Sequence, residues 1–295
     1  MKIINDPSEY YKKSPDLFFE YTISESLSNM ESPYLQLLEE KKLYSEFIFN
    51  FLKKYLKIEK FKTIIEIGGG YGKFMKNFLQ YVQFEKVFMV DISKKFLEIQ
   101  KQALSEYKNI EFIESDGVRF IKNFNGSVDL IILNEVIGDF KTLIDVSTDE
   151  FGNFYQVNVD YLPKRTNINI GALDFVNLAA AKCNAIFFVE HSSTYEIPSD
   201  FSDILIDEKE NFSPKEIKLM GHSEYSINFR MLQEVSEYAC FKTVRKHLMD
   251  VIPVKRNKIV EFVLKSNTHQ TEFHEIIDEF YNHIKEYEVL LCYKG

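Results

Sequence analysis

The segment Glu66-Ile67-Gly68-Gly69-Gly70-Tyr71-Gly72 is the part of the chain best suited to holding a ligand. It sits between an apolar run, Thr63–Ile67, and a stretch of helical spacing from Gly72 to Val82. A turn this rich in glycine lets the main chain approach a ligand and aims the first N–H groups of a helix at it. An acid, Glu66, stands two residues before the first glycine. A second, Asp91, closes the next apolar run, Val87–Asp91. An acid at such a strand end is placed to accept both hydroxyls of a ribose. The dinucleotide fingerprint requires a glycine where Lys73 stands, and the Gly-Lys-Ser/Thr of a P-loop is absent. With no basic residue inside the glycine turn, a nucleoside bearing a cationic amino-acid tail fits better than a pyrophosphate. Glu66 is then expected near the cationic end, Asp116-Gly117 near the adenine amine, and Asn134-Glu135 toward the reacting end.

Further candidates stand at expected C-terminal strand ends, where ligands bind in open parallel sheets. They are Glu135, Asp139, Glu190, His191, His222, Glu224 and Tyr225. A nucleophile that is protonated at neutral pH needs a base, and a pair of these carboxylates suits a guanidinium or an amine. His222 reads as a loop or surface residue. Glu224 has an equal alternative, which is to cap the following helix together with Ser226. His269, His274 and His283 are spaced by 5 and 9 residues, do not share one helical face and have no cysteine beside them, so no metal site is expected.

The elements that would position these groups alternate. Thr63–Ile67, Val87–Asp91, Ile110–Glu114, Val128–Leu133 and Ala185–Glu190 are short apolar runs, and those up to Leu133 are separated by helical stretches. Continuous apolar strands alternating with helices indicate a parallel sheet covered on both faces. Ser93 is placed to cap the helix running to Tyr107. Beyond Ala185–Glu190, a helix is expected at Ser226–Tyr238, a strand at 258–265, an amphipathic helix at 271–287 and a last strand at 289–294. Apolar spacing over Tyr34–Leu56 predicts one long helix or two, behind a polar opening broken by Pro7, Pro15 and Pro33. Tyr10, Tyr11, Phe18, Phe19 and Tyr21 cluster in that opening, either as a lid or as an aromatic staple onto the core. The organisation expected is therefore α/β, doubly wound, with a mostly parallel seven-stranded sheet. Residues 1–58 form a helical N-terminal addition, residues 59–295 the main domain, and 138–183 an insertion after strand four. Phe151, Phe154, Tyr155 and Tyr161 are expected to line a substrate pocket in that insertion.

Of the 295 residues, 36 are Lys or Arg and 45 Asp or Glu, a net charge of −9. That balance disfavours nucleic acid held by bulk electrostatics. No run approaches the roughly 20 apolar residues of a membrane span, the opening MKIINDPSEYYKK has no secretory apolar core, and the acidic face of the C-terminal helix argues against a membrane surface. Cys183, Cys240 and Cys292 are odd in number and far apart, which reads as reduced thiols in a cytoplasmic protein.

The ordered acid, glycine loop and second acid resemble the class I S-adenosylmethionine-dependent methyltransferases over about residues 60–135, and more loosely to the last strand. The resemblance implies a Rossmann-like methyltransferase sheet and S-adenosylmethionine as cofactor. It assigns Glu66, Gly68, Gly69, Gly70, Gly72, Asp91, Ile92, Asp116, Gly117 and Asn134 to cofactor binding. The acceptor would be a protein side chain or a small molecule. Asn134-Glu135-Val-Ile-Gly-Asp139, Phe188-Val-Glu190-His191 and Gly221-His-Ser-Glu224-Tyr-Ser-Ile-Asn-Phe229 are similar to the MidA-like branch, whose mitochondrial members methylate arginine. That branch's tyrosine-rich opening has no recognisable counterpart in residues 1–55. The resemblance puts Glu135, Asp139, Glu190, His191 and Glu224 forward as catalytic candidates. Gly-Gly-Gly-x-Gly and Ser115-Asp116-Gly117 also resemble spermidine synthases slightly, so aminopropyl or aminocarboxypropyl transfer is an alternative, although those enzymes carry an Asp where Asn134 stands. A non-catalytic assembly factor that binds the same nucleoside is a third reading.

Overall fold

The structure is a computed structural model that describes residues 3–13, 21–57, 60–155, 157–206, 212–266 and 269–295. Helix α1 (Tyr44–Tyr55) precedes a central sheet of seven strands: β1 (Lys60–Ile67), β2 (Gln83–Asp91), β3 (Ile110–Glu114), β4 (Val128–Asn134), β5 (Cys183–His191), β6 (Lys242–His247) and β7 (Tyr287–Tyr293). They lie in the order β6-β7-β5-β4-β1-β2-β3. Strands β1 to β5 pair in parallel, and β7 runs antiparallel to both β5 and β6. Connecting helices are α2 (Lys73–Phe78), α3 (Lys94–Ala103), α4 (Gly117–Asn123), α5 (Ile170–Ala179), α6 (Phe229–Tyr238), α7 (Lys258–Ser266) and α8 (Glu272–Ile284).

The strand alternation divides the core in two. Ile64, Leu130, Ile132, Phe187 and Val189 face a layer built with α1 and α8, through residues such as Ile48, Phe51, Ile277 and Phe280. Ile65, Ile131, Leu133, Ile186 and Phe188 face the other layer, with Ile121, Phe175, Val176 and Leu232. Both faces are dry, so the strands need no polar alternation, which is why they read as unbroken apolar runs. At its C-terminal edge the sheet reverses strand order on either side of β1, and the crevice there opens between Glu66 and Asn134.

Two expectations need correction. Residues 258–265 form α7, not a strand: Val260 and Val263, three apart, are buried, while Ile259 and Phe262 are exposed. The sixth strand is Lys242–His247, a charged edge strand whose residues are mostly partly exposed and which has no apolar run to announce it. Likewise Tyr34–Leu56 is not continuous helix. A 3-10 turn at Pro33–Leu37 ends where Leu38 bridges Val254 and the Glu39 N–H donates to the Pro253 carbonyl at 2.9 Å; α1 begins six residues later.

The polar opening is more ordered than its composition indicates. Ile3–Asn5 is a strand paired antiparallel with Thr142–Ser147, which pairs in turn with Arg165–Ile168. The insertion after β4 thus builds a small second sheet that includes the strand Ile3–Asn5. Its later part, α5, is an ordinary sheet-covering helix with Ala172, Phe175, Val176 and Ala179 buried. No helix among the described residues is long and apolar enough to cross a membrane.

Candidate functional site

A cavity of about 470 Å³ lies over the C-terminal ends of β1, β2, β4 and β5. Its floor is the glycine turn. The Gly68 N–H donates to the Val90 carbonyl at 2.8 Å, which ties the turn to β2. Gly68 has φ +67°, and a Cβ there would stand 2.3 Å from Val136 Cγ2, so no side chain fits. Gly69 has ordinary φ, yet a Cβ would lie 2.8 Å from Glu66 Oε2 and from Met89 Cε. The turn is therefore packed around the Glu66 carboxylate.

Glu66 is 2% exposed, and its Oε2 is buried with no hydrogen-bond partner. Burial, with the nearby charge of Asp91, pushes its pKa up to about 8. Asp91 is also buried. Its Oδ1 accepts the Ser93 N–H at 2.8 Å and its Oδ2 accepts Gln100 Nε2 at 2.9 Å. Burial outweighs those bonds and raises its pKa to about 6. Ser93 also caps α3 as expected, accepting the Phe96 N–H. Gln100 is fully buried and reaches from Asp91 to the Gly70 carbonyl (3.1 Å), tying the second strand to the glycine turn. It was absent from the candidates, although a polar residue on the buried face shared by Phe96, Leu97 and Leu104 is a legible signal.

The remaining cofactor candidates converge here too. Ile92, Asp116, Gly117 and Asn134 all line the cavity. Asp116 Oδ1 caps α4 by accepting the Arg119 N–H at 2.7 Å. Asn134 Oδ1 accepts the Tyr44 hydroxyl at 2.6 Å, a bond that anchors the strand end to α1.

Glu135, Asp139, Glu190, His191 and Glu224 line the other half of the same cavity. Glu135 has φ +52° and points at the N-terminal segment: Oε1 accepts the Ile23 N–H (2.8 Å) and Oε2 accepts the Ser24 N–H (3.1 Å) and the Ser24 hydroxyl. Burial raises its pKa against the opposing effect of those bonds. Glu190 is 3% exposed, with Oε2 accepting the Gly138 N–H (3.2 Å) and Oε1 the His191 N–H (3.0 Å). Asp139 Oδ1 is buried without a hydrogen-bond partner, 3.5 Å from His222 Nε2, which itself lies 2.9 Å from the Tyr11 hydroxyl. Burial raises the Asp139 pKa, while His222 and Tyr11 pull it down.

His222 lies in a loop but not at the surface. Its side chain is 3% exposed, stacked on Tyr10 at 4.2 Å. Glu224 and Ser226 do not cap α6; Asn228 does, its side chain accepting the Met231 N–H at 2.9 Å. Tyr225 is buried on the short hairpin and is not among the cavity residues. Tyr287 was missed. It is 1% exposed at the start of β7, with its ring 4.1 Å from that of His191, and burial together with Glu135, Glu190 and Glu224 keeps its phenol protonated. His283, set aside with the histidine trio, lines the cavity, and burial lowers its pKa.

The aromatic walls come from a different place than expected. Phe151 and Tyr155 stack on each other at 4.5 Å, and the Tyr155 and Tyr161 hydroxyls bond to Asp174 and Asn228, away from the cavity. Phe18, Phe19 and the side chain of Phe154 lie outside the described residues. Tyr11 and Tyr21 do line the cavity, with Ser8, Thr22, Ser24 and Glu25, so the described N-terminal segment forms one wall of the site. Tyr10 serves as a staple, against His222.

Residues 64–146 match the family model described as a methyltransferase domain. The polyamine aminopropyltransferase of Saccharolobus solfataricus is 35% identical over 80 residues, 25% of this chain and 27% of that protein. The one from Caldicellulosiruptor saccharolyticus is 24% identical over 172 residues, 49% of this chain and 60% of that protein. The chain thus spans about a quarter of the length of the first of these relatives (27%). Among solved structures, the plantazolicin methyltransferase BamL overlays with a TM-score of 0.49 at 12% identity, over 97% of this chain and 94% of that one. An S-adenosylmethionine-dependent methyltransferase from Clostridium acetobutylicum does so with 0.45 at 12%, over 85% and 91%.

Proposed function

We propose that this chain, which carries a class I S-adenosylmethionine-dependent methyltransferase domain, is an enzyme that uses it to transfer a group from that cofactor to a nitrogen or oxygen nucleophile. The single observation that carries the reading is the buried, unpartnered Oε2 of Glu66 beneath the glycine turn. A carboxylate in that position holds its proton until a cation arrives, and the cofactor's tail is cationic. The residues fit the group on other counts. Asp91 keeps lone pairs for ribose hydroxyls beyond its bonds to Ser93 and Gln100, and Gly68, Gly69 and Gly70 present bare main chain to the cavity. When bound, the cofactor supplies an electrophilic carbon on a sulfonium, ready for in-line displacement.

The chain's own contribution is to position, desolvate and deprotonate. Glu66, Asp91 and the glycine turn hold the donor. Asn134, fixed by Tyr44, marks the boundary between donor and acceptor halves. Glu190 and Glu224 hold the acceptor, and Asp139, 3.5 Å from His222 Nε2, is the base. Within the N-terminal addition, residues 1–58, Glu135 holds Ile23 and Ser24, next to the described residues that form a wall of the site. Residues 59–295 form the transferase domain proper; of the insertion 138–183, Asp139 and Phe140 line the cavity, while α5 covers the sheet.

Aminopropyl transfer remains a second reading because the curated relatives that share 80 residues with this chain carry that name. Incubation of the purified protein with small amine acceptors and either S-adenosylmethionine or its decarboxylated form, read by product mass, tests both. Gain of a methyl group supports the first reading, gain of an aminopropyl group from the decarboxylated donor supports the second, and a protein that binds the donor but transfers nothing is the assembly-factor case.

A further inference from the structure

We infer that Gln100 is a positioning residue of the donor site: its side-chain amide fixes Asp91 as the ionised acceptor for ribose hydroxyls and ties it to the glycine turn. What Asp91 receives rests on the transferase reading; the hold of Gln100 on Asp91 does not.

Gln100 stands on the inner face of α3, where its neighbours Phe96, Leu97 and Leu104 are buried apolar residues. It is 0% exposed, and its Oε1 is buried with no hydrogen-bond partner. An unmade bond of that kind has a cost that a leucine or methionine at the same place would not carry. The two hydrogens of Nε2 account for the residue. One goes to Asp91 Oδ2 at 2.9 Å and the other to the Gly70 carbonyl at 3.1 Å. Turning the amide over would set Oε1 against two acceptors, so its orientation is fixed. The glycine turn is shaped to admit it. Gly72 has φ +76°, and a Cβ there would stand 3.2 Å from Gln100 Cα and 3.3 Å from its Cγ. A side chain at position 72 would push α3 away and withdraw the amide from Asp91.

Asp91 needs such a donor. It closes β2 in register with Glu114 of β3, Glu66 of β1 lies near it, the charge of Asp139 reaches it, and Asp116 lines the same cavity. These neighbours are all acids, and together with burial they favour a proton on Asp91. The Ser93 and Ile92 N–H groups and the Gln100 amide oppose it. Of these three donors Gln100 alone is a side chain, and it alone also reaches the glycine turn. An ionised carboxylate accepts two hydroxyls, whereas a protonated one has given up part of that capacity. Gln100 therefore sets both the orientation in which Asp91 meets a ribose and the pH at which it can do so.

The test compares the full wild-type chain with Gln100→Met, which keeps the length of the side chain and loses the donor. S-Adenosylhomocysteine is titrated, and melting temperatures are recorded, from about pH 5 to about pH 8. In the wild type the affinity should rise through about pH 6, where Asp91 titrates, and Glu66 should add a further rise near about pH 8. In Gln100→Met the lower rise should move up by about one pH unit, and the affinity near neutral pH should fall about tenfold. The difference in melting temperature should widen as pH rises, because the folded variant keeps the Asp91 proton to higher pH and loses stability over a longer range. Gln100→Asn, which keeps the amide but falls one methylene short, serves in its place if Gln100→Met does not fold. An affinity lost equally at every pH, or a melting difference that stays constant, would make Gln100 a packing residue and overturn the inference while the transferase reading stands. If the folded wild type does not bind S-adenosylhomocysteine, the transferase reading falls, and the melting profile alone decides whether Gln100 holds Asp91.

Discussion

Glu135 Oε1 accepts the backbone N–H of Ile23 at 2.8 Å, joining positions 112 residues apart. This contact, with its companion at Ser24, turns a residue that looks like a catalytic acid into the anchor of the cavity wall. Replacing Glu135 with Gln keeps the shape and removes the charge. Hydrogen bonds to charged groups contribute about 1.5–3 kcal/mol each, so Glu135→Gln should lower stability by about 1–3 kcal/mol in denaturant unfolding. It should also speed proteolysis within the first 26 residues while the rest of the chain stays resistant. Equal protection of that segment in variant and wild type would refute the anchoring role.

The buried carboxyls give the protein a specific pH dependence. In the fold Glu66 titrates near about 8 and Asp91 near about 6, against ordinary values of 4.5 and 3.8. The folded state therefore binds more protons than the unfolded state between those limits, and stability falls as pH rises through the window. The melting temperature should decline from about pH 5 to about pH 8, and Glu66→Gln should flatten the decline. The slope should not vanish, because the pKa values of Glu135 and Asp139 are raised in the same direction. Binding of a cationic donor has the opposite sign, so its affinity should rise over the same range.

Two adjacent glycines should fail differently. Gly68→Ala meets Val136 at 2.3 Å and needs a left-handed backbone. It should cost about 1–3 kcal/mol of stability. Gly69→Ala has no such backbone penalty, and its methyl presses on the Glu66 carboxylate. Its main effect should be weaker binding of S-adenosylhomocysteine, with a smaller loss of stability. Thermal unfolding and titration on both variants separate the cases, and the reverse ranking would contradict this packing.

The capping assignment is also testable. Asn228→Ala removes the α6 cap and should cost about 1–2 kcal/mol. Glu224→Ala should cost less than Asn228→Ala, because Glu224 does not cap α6. Were Glu224 the cap, those losses would be exchanged.

Much of this was legible because the cofactor side of the domain is local in sequence. Glu66, the glycines and Asp91 lie at the ends of consecutive apolar strands, and so within one crevice by topology alone. What was not legible depends on contacts distant in sequence. The charged edge strand Lys242–His247 exists because β7 offers it a partner, whereas the apolar 258–265 segment coils because only Val260 and Val263 have a surface to bury against. The opening around Tyr11 and Tyr21 shows no strong periodicity, and its order comes from Thr142–Ser147, Glu135 and His222. Tyr287 falls at the end of the expected helix 271–287 but opens β7, and nothing in sequence reveals that Glu135, Glu190 and Glu224 lie near its hydroxyl.

The most direct test of the central claim is calorimetric titration of the full chain with S-adenosylmethionine and S-adenosylhomocysteine, for the wild type and Asp91→Ala. The account predicts micromolar binding that weakens about 30-fold or more in the variant, as expected for losing charged hydrogen bonds to a ribose. A folded wild-type protein that binds neither compound, or an Asp91→Ala variant that binds both as tightly as wild type, would contradict it.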